Sequence, residues 1–200
     1  MTNSIKEALL QRRTNYALSN GSPISDEDIE EIVKTAVLHV PSAFNSQSTR
    51  IVLLLGENHR KLWEITKDIL RKIVPAAAFA QTEAKINGAF ESGHGTILYY
   101  EDQAVVRGLQ AQFAAYKDNF PIWSQHTSAM HQFAIWTMLT DAGFGVNLQH
   151  YNPLIDEEVA KAFDINSDWK LIAEMPFGVA LQGPGEKQFA PVEDRLKVFK

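Results

Sequence analysis

The chain has 200 residues, 45% of them hydrophobic and 22% charged, with a formal net charge of −5 and no cysteine. That balance is ordinary for a soluble globular protein and sets up no global basic field for nucleic acid. The missing cysteine excludes disulfides, thiol nucleophiles and thiolate metal sites, and suits a reducing compartment.

Met1 to Glu7 lacks the apolar centre of a signal peptide. The longest apolar runs, Ile51–Leu55 and Pro75–Ala80, are too short to cross a bilayer. A cytoplasmic protein is therefore expected. No repeat, linker or low-complexity tract divides the chain, so residues 1–200 read as one domain.

Ser4 and Glu7 fit a capping box ahead of a short helix that ends near Arg12. Gly21-Ser22-Pro23 is a turn. Ser25 caps a second helix, with Asp26, Glu27 and Asp28 at its positive end. The polar stretch Pro41 to Ser48 then leads into a buried strand, Arg50–Leu55. A helix from Asn58 carries Leu62, Ile65, Ile69, Leu70 and Ile73 on one side. Pro75 separates it from a helix expected over Ala76–Phe90. Thr96–Tyr100 is a second strand candidate, and Asp102 caps a helix expected to reach Tyr116.

Ser124 to Ala142 is the longest helical pattern. Its second half has little polar surface, which predicts burial on more than one side or contact with another subunit. Gly143 is a natural stop. A short helix opens at Asp156-Glu157-Glu158, and two strands are expected on either side of Pro176. Helices outnumber strands without strict alternation, which favours an α+β fold.

Four segments could carry chemistry. In Arg12-Arg13-Thr14-Asn15, guanidinium groups can bind a phosphate in bidentate fashion and Thr14 adds a donor. A solvated basic helix end is the plain alternative. In the Pro41–Ser48 loop, Ser42, Asn45 and Gln47 offer uncharged groups that both donate and accept, suited to a polyhydroxylated planar ligand; a simple connector is the alternative. Gly143 to His150 places two glycines, then Asn147, Gln149 and His150, after the long helix. The glycines would let backbone approach a flat ring, or merely cap the helix. Lys187 and Arg195 lie in a basic C-terminal stretch that could equally be surface charge. No metalloprotease, nucleophile-elbow, P-loop or calcium-loop pattern occurs. His126 and His131 are too poorly aligned for a shared metal.

Together the Arg-Arg-Thr segment, the Pro-Ser-x-x-Asn-Ser-Gln loop, the glycine segment and the basic end resemble the nitroreductase superfamily of flavin enzymes. Arg50-Ile-Val-Leu-Leu and Pro191-Val-Glu-Asp-Arg-Leu-Lys-Val-Phe resemble its fatty-acid-repression-mutant-like branch. The resemblance implies an α+β, nitroreductase-like fold with a central, mostly antiparallel sheet flanked by helices. It also implies an intertwined homodimer with FMN at the interface. Arg12, Arg13, Thr14 and Asn15 would follow the phosphate and ribityl chain. Ser42, Asn45 and Gln47 would come from the second subunit. Gln149 and His150 would offer backbone groups near the ring N5, and Lys187 and Arg195 would close on the phosphate. Tyr16 stands where many relatives carry a basic residue, and Gln188-Phe189 follows Lys187 where many end Lys-x-Arg.

The function implied is NAD(P)H-dependent reduction of nitroaromatics or quinones by ping-pong hydride transfer through the flavin, with no catalytic side chain, no metal and a small-molecule acceptor as partner. Nucleic acid and membrane are not expected partners. A flavin-binding regulator with incidental turnover and a cofactor-free helical interaction module are the other readings.

Overall fold

The structure, a computed structural model, describes residues 4–200; Met1–Asn3, the start of the Met1–Glu7 stretch, lie outside it. Among the described residues the chain forms α1 (Ile5–Gln11), β1 (Leu18–Ser19), α2 (Asp26–His39), β2 (Thr49–Leu55), α3 (Gly56–Ile73), α4 (Ala76–Ile86), β3 (Gly95–Asp102), α5 (Gln103–Gln112), α6 (Phe120–Asp141), β4 (Gly145–Val146), α7 (Asp156–Phe163) and β5 (Trp169–Ala180). Local signals set many of these boundaries. The Ser4–Glu7 box closes reciprocally at the start of α1. The Ser25 hydroxyl accepts from the Asp28 N–H at the start of α2. No helix is long and apolar enough to cross a membrane.

The five strands form one antiparallel sheet in the order β1-β5-β3-β2, with β4 also on β5. Strand β3 is buried on both faces. Successive side chains point to opposite faces, so Ile97 and Tyr99 enter one core and Leu98 and Tyr100 the other. The first core is closed by α2 and α6 through Ile29, Ala36, Ile135 and Leu139. The second is closed by α3, α4 and α7 through Leu62, Trp63, Phe79 and Val159. The fold is α+β, with helices on both sides of a central antiparallel sheet, as expected.

Several boundaries differ from the sequence expectation. The two strands around Pro176 are one strand, β5. Pro176 has no N–H, but in an antiparallel strand a residue's N–H and C=O point to the same side. Its carbonyl accepts from the Asn147 N–H at 3.2 Å, so the missing donor faces the short β4 side rather than the long β3 ladder. The helix after Pro75 ends at Ile86 and widens into a π-turn at Asn87–Glu91. Helix α5 stops at Gln112, before a separate 3-10 turn at Ala114–Tyr116. Helix α3 begins at Gly56 and α6 at Phe120, with Pro121 in the first turn of α6.

One charge sits on the core side of α3. Lys67 is 5% exposed, and its ammonium meets Glu91 at 2.7 Å and Glu64 and Asn87 at 2.8 Å. Three donors find three acceptors, which is what permits the burial. His59 is also buried, between Thr96 Oγ1 at 2.8 Å and the Glu91 carbonyl at 3.0 Å.

Burial pushes the His59 imidazole down to about 4 from 6.5. The unfolded chain therefore takes up a proton first as pH falls. Stability is fully present above pH 6.5 and falls by up to ~3 kcal/mol as pH approaches 4. Urea unfolding of wild type measured against His59→Gln across that range should show this loss, as a difference between the two curves. Gly178 gives a second expectation: a Cβ there would lie 2.2 Å from the Ser19 carbonyl oxygen. Gly178→Ala should separate β1 from β5 and lower the unfolding free energy by ~3 kcal/mol.

Candidate functional site

The first group of candidate residues gathers where α1 ends. The Arg12 N–H closes the helix on the Ala8 carbonyl at 2.9 Å, and the chain then runs extended beside β4. Thr14 bridges Val146 in parallel, and the Asn15 N–H donates to the Val146 carbonyl at 3.0 Å. Asn147, fully buried, donates from Nδ2 to the carbonyls of Asn15 (2.9 Å) and Ala89 (3.2 Å). Gln149 Nε2 donates to Asn147 Oδ1 at 2.8 Å. The arginine segment and the glycine segment are thus one continuous polar seam.

The two glycines serve the fold rather than a ring. Gly143 takes φ 96° at the end of α6. A Cβ on Gly145 would lie 2.8 Å from the Ala180 Cβ and 3.1 Å from the Asn15 Cβ, so its space is already filled by protein. Gln149 is also committed: its N–H donates to the Glu174 carbonyl at 2.7 Å and its carbonyl accepts from the Glu174 N–H at 3.0 Å. The Tyr151 N–H donates to Glu174 Oε2 at 2.9 Å. Between them the His150 N–H has no partner among the described residues, and His150 is exposed. Of this pair, His150 is the one with a backbone donor to give.

Arg12 lies with its guanidinium carbon 4.7 Å from the Trp136 ring centroid. Its Nε is buried and has no partner. A buried, unpartnered guanidinium donor calls for an anionic acceptor, and a phosphate meets that need. Arg13 is held differently, by donating to the Gly185 carbonyl. Residues 182–185 then wall a cleft of about 360 Å³ with Thr14, Asn15, Tyr16 and Ala17. Tyr16 is 54% exposed there. Beyond Gly185 the chain is exposed to its end. Lys187 rests over Phe189 at 5.0 Å, and Arg195 is exposed.

The second group is the Pro41–Ser48 loop, which is backbone-strained. Phe44, Asn45 and Gln47 have φ of 57°, 51° and 48°, a region that non-glycine residues rarely occupy. Such strain persists only where surroundings over-determine it. The Gln47 N–H donates to Ser42 Oγ at 2.9 Å, and Arg50 donates to the Gln47 carbonyl at 2.6 Å. The buried hydroxyls of Ser48 and Thr49 donate to Glu101 at 2.6 and 2.5 Å. Burial pushes the Glu101 carboxyl up, and these two bonds pull it back. The Phe44 ring packs among Phe113, Phe120 and Trp123, stacked on Trp123 at 6.0 Å. The side chains of Asn45 and Gln47 are left exposed.

Both groups rest on α6, at different heights. Phe44 packs on Trp123 and Arg12 on Trp136, thirteen positions apart, or ~20 Å along the axis. One chain does not bring Ser42 and Asn45 to Arg12. Halfway between, Met130 and Phe133 are 39% and 48% exposed. The expected burial of α6 on more than one side is therefore met by the core on one side and left open on the other.

His94 and His131 have structural partners. His94 meets the Asn20 carbonyl at 3.0 Å and Asp26 at 2.8 Å, and His131 Nδ1 meets the Thr127 carbonyl at 2.9 Å. Among the described residues no group of three or more histidine, cysteine or acidic side chains is placed to hold a metal ion. The sequence reading missed Glu101 and Glu174. The signal for Glu174 was present: one charge inside the apolar run Leu171 to Val179.

The Nitroreductase family profile matches residues 9–179, and the chain belongs to that family of oxidoreductases. Lactococcus lactis CinD, a nitroreductase solved in complex with nicotinic acid, is 45% identical and superposes with a TM-score of 0.91, covering 98% of this chain and 100% of that one. CinD is also described in complexes with chloramphenicol and 4-nitrophenol. Among curated proteins, Saccharomyces cerevisiae HBN1 is 35% identical over 196 residues, 96% of this chain and 95% of that one. The Saccharomyces cerevisiae nitroreductase FRM2 is 28% identical over 190 residues, 94% of each.

Glu101 should be the anchor of the strained loop. Glu101→Ala leaves two buried hydroxyls without their acceptor and should cost ~3 kcal/mol in urea unfolding. Glu101→Gln keeps one acceptor oxygen and should cost about half as much.

Proposed function

We propose that this chain is a single-domain, FMN-dependent, NAD(P)H-oxidising reductase of nitroaromatic or quinone acceptors, working as a cytoplasmic homodimer. The observation that carries this is the spacing on α6. The Phe44 loop and Arg12 sit toward opposite ends of an exposed apolar face whose midpoint is Ala129–Met130. A two-fold axis through that midpoint sets the loop of one subunit beside the arginine segment of the other. An isologous contact of this kind also covers Met130 and Phe133. The exposed tail, with Phe189, Val192, Leu196 and Phe199 uncovered, is suited to wrap the second subunit and carry Lys187 and Arg195 to the phosphate.

When bound, FMN would supply hydride transfer between NAD(P)H and the acceptor in a ping-pong sequence. The chain binds and orients. Arg12 and Arg13 take the phosphate, and Thr14 and Asn15 line the ribityl chain. Ser42, Asn45 and Gln47 reach in from the second subunit. His150, held beside Gln149, gives its backbone N–H to the ring edge. Phe44 and Trp123 offer stacking faces beside it, suited to acceptors such as the 4-nitrophenol seen with CinD.

The uncharged Tyr16 favours a second reading, a flavin-binding regulator with incidental turnover. Steady-state NADH oxidation with a nitroaromatic separates the two: bound FMN with negligible turnover supports the regulator. The primary test is the visible spectrum of purified protein. A flavin band at one FMN per chain is expected, and a colourless protein that ignores added FMN overturns the proposal. Arg12→Ala should stay folded and bind FMN roughly 30-fold more weakly, ~2 kcal/mol, by fluorescence titration.

A further inference from the structure

Glu101 and Glu174 are both fully buried, yet they differ in one respect. Glu101 is answered by two hydroxyls. Glu174 is answered on one side alone: Oε2 accepts from the Tyr151 N–H, while Oε1 is buried without a partner. Directly across the ladder from Leu98, it enters the same apolar core.

The groups around it aggravate this. Asp156 faces it from the start of α7, Tyr151 from the turn after His150, and Tyr100 from β3. Lys170, further along β5, acts on Asp156. Tyr100 Oη, Asn152 Oδ1 and Asp156 Oδ1 are buried without partners too. Three of these four unpartnered oxygens are pure acceptors. Only the Tyr100 hydroxyl among them can donate, and a proton on Glu174 adds a second donor to the group. Burial pushes Glu174 up to about 8; the Tyr151 N–H pulls it back, the Asp156 charge adds to the rise, and the Asn152 and Glu174 backbone groups lower it a little.

Glu174 also grips both neighbours of His150. Its backbone pairs with Gln149 and its carboxyl group with the Tyr151 N–H. The intervening His150 N–H is thereby the donor left to present outward. Resting on the reading that this N–H meets the flavin ring, we propose that Glu174 is a positioning residue for electron transfer: its protonated carboxyl group holds the His150 donor in place, and loss of the proton sets a negative charge behind that donor and opposes electron delivery to the ring. The step is a proton equilibrium. The carboxyl O–H bond breaks, the proton passes to water, the oxygen keeps the electron pair, and no bond to the cofactor changes.

The sign follows from charge. Electrons on the ring raise the proton affinity of Glu174, so the midpoint potential of the FMN-loaded protein should fall more steeply with pH from about 8 upward, by one extra proton per reduction. Spectroelectrochemical titration of wild type should show this break. Glu174→Gln should lack it, and Asp156→Asn, which removes the like charge, should move it to lower pH. A measurement without flavin runs beside it. The folded protein holds a proton that the unfolded chain has lost between pH 4.5 and about 8. The folding constant of the apo-protein should therefore fall about tenfold per pH unit there, relative to Glu174→Gln. Flavin-loaded wild type with the same potential profile as Glu174→Gln overturns the role of Glu174 alone, as does an apo-protein without that relative fall. A wild-type chain that binds no FMN overturns the functional reading beneath it.

Discussion

The two-sided burial of β3 is the constraint from which the rest follows. A strand with Ile97 and Tyr99 on one face and Leu98 and Tyr100 on the other cannot leave either face wet, so helices must cover both. That consumes α2, α3, α4 and α7 as cover. Polar segments that belong to neither core are displaced to the rim of the sheet. The extended run from Arg12 to Asn15 lies there against β4, and the stretch after β4 pairs with the edge of β5.

Buried acid groups tie each rim segment back to the interior. Glu101 holds the end of the Pro41–Ser48 loop through Ser48 and Thr49, and Glu174 holds the turn around His150. In both cases a carboxyl group from the central strands reaches a segment with little apolar surface of its own. Hydrogen bonds to a buried carboxyl group of this kind rigidify the segment and specify its geometry. They let a loop carrying three left-handed non-glycine residues remain in one conformation, with Asn45 and Gln47 turned outward. The contrast between a fully answered Glu101 and a half-answered Glu174 is chemical: one serves as an anchor, the other also has a proton to exchange.

Helix α6 joins the two halves. Its inner face completes a core through Ile135 and Leu139, while Trp123 and Trp136 seat the two groups of candidate residues. The second half of α6 carries more apolar surface than one core covers, and the exposed Met130 and Phe133 show that in a lone chain.

Much of this was legible in the residues themselves. Caps at Ser4 and Ser25, the apolar runs of β2 and β3, the apolar second half of α6 and the Pro-Ser-x-x-Asn-Ser-Gln loop are local patterns, and local patterns survive without the fold. What only the tertiary structure decided depends on which way a group points. Pro176 continues a strand because its missing N–H faces a short neighbour. Gly145 is filled by Ala180 and Asn15 rather than kept for a ligand. Gln149 is already paired while His150 is not, and Glu174 lies among acceptors. None of these can be read from residue type or spacing, because hydrogen-bond direction and cavity filling are properties of segments far apart in the chain that meet only when it is folded.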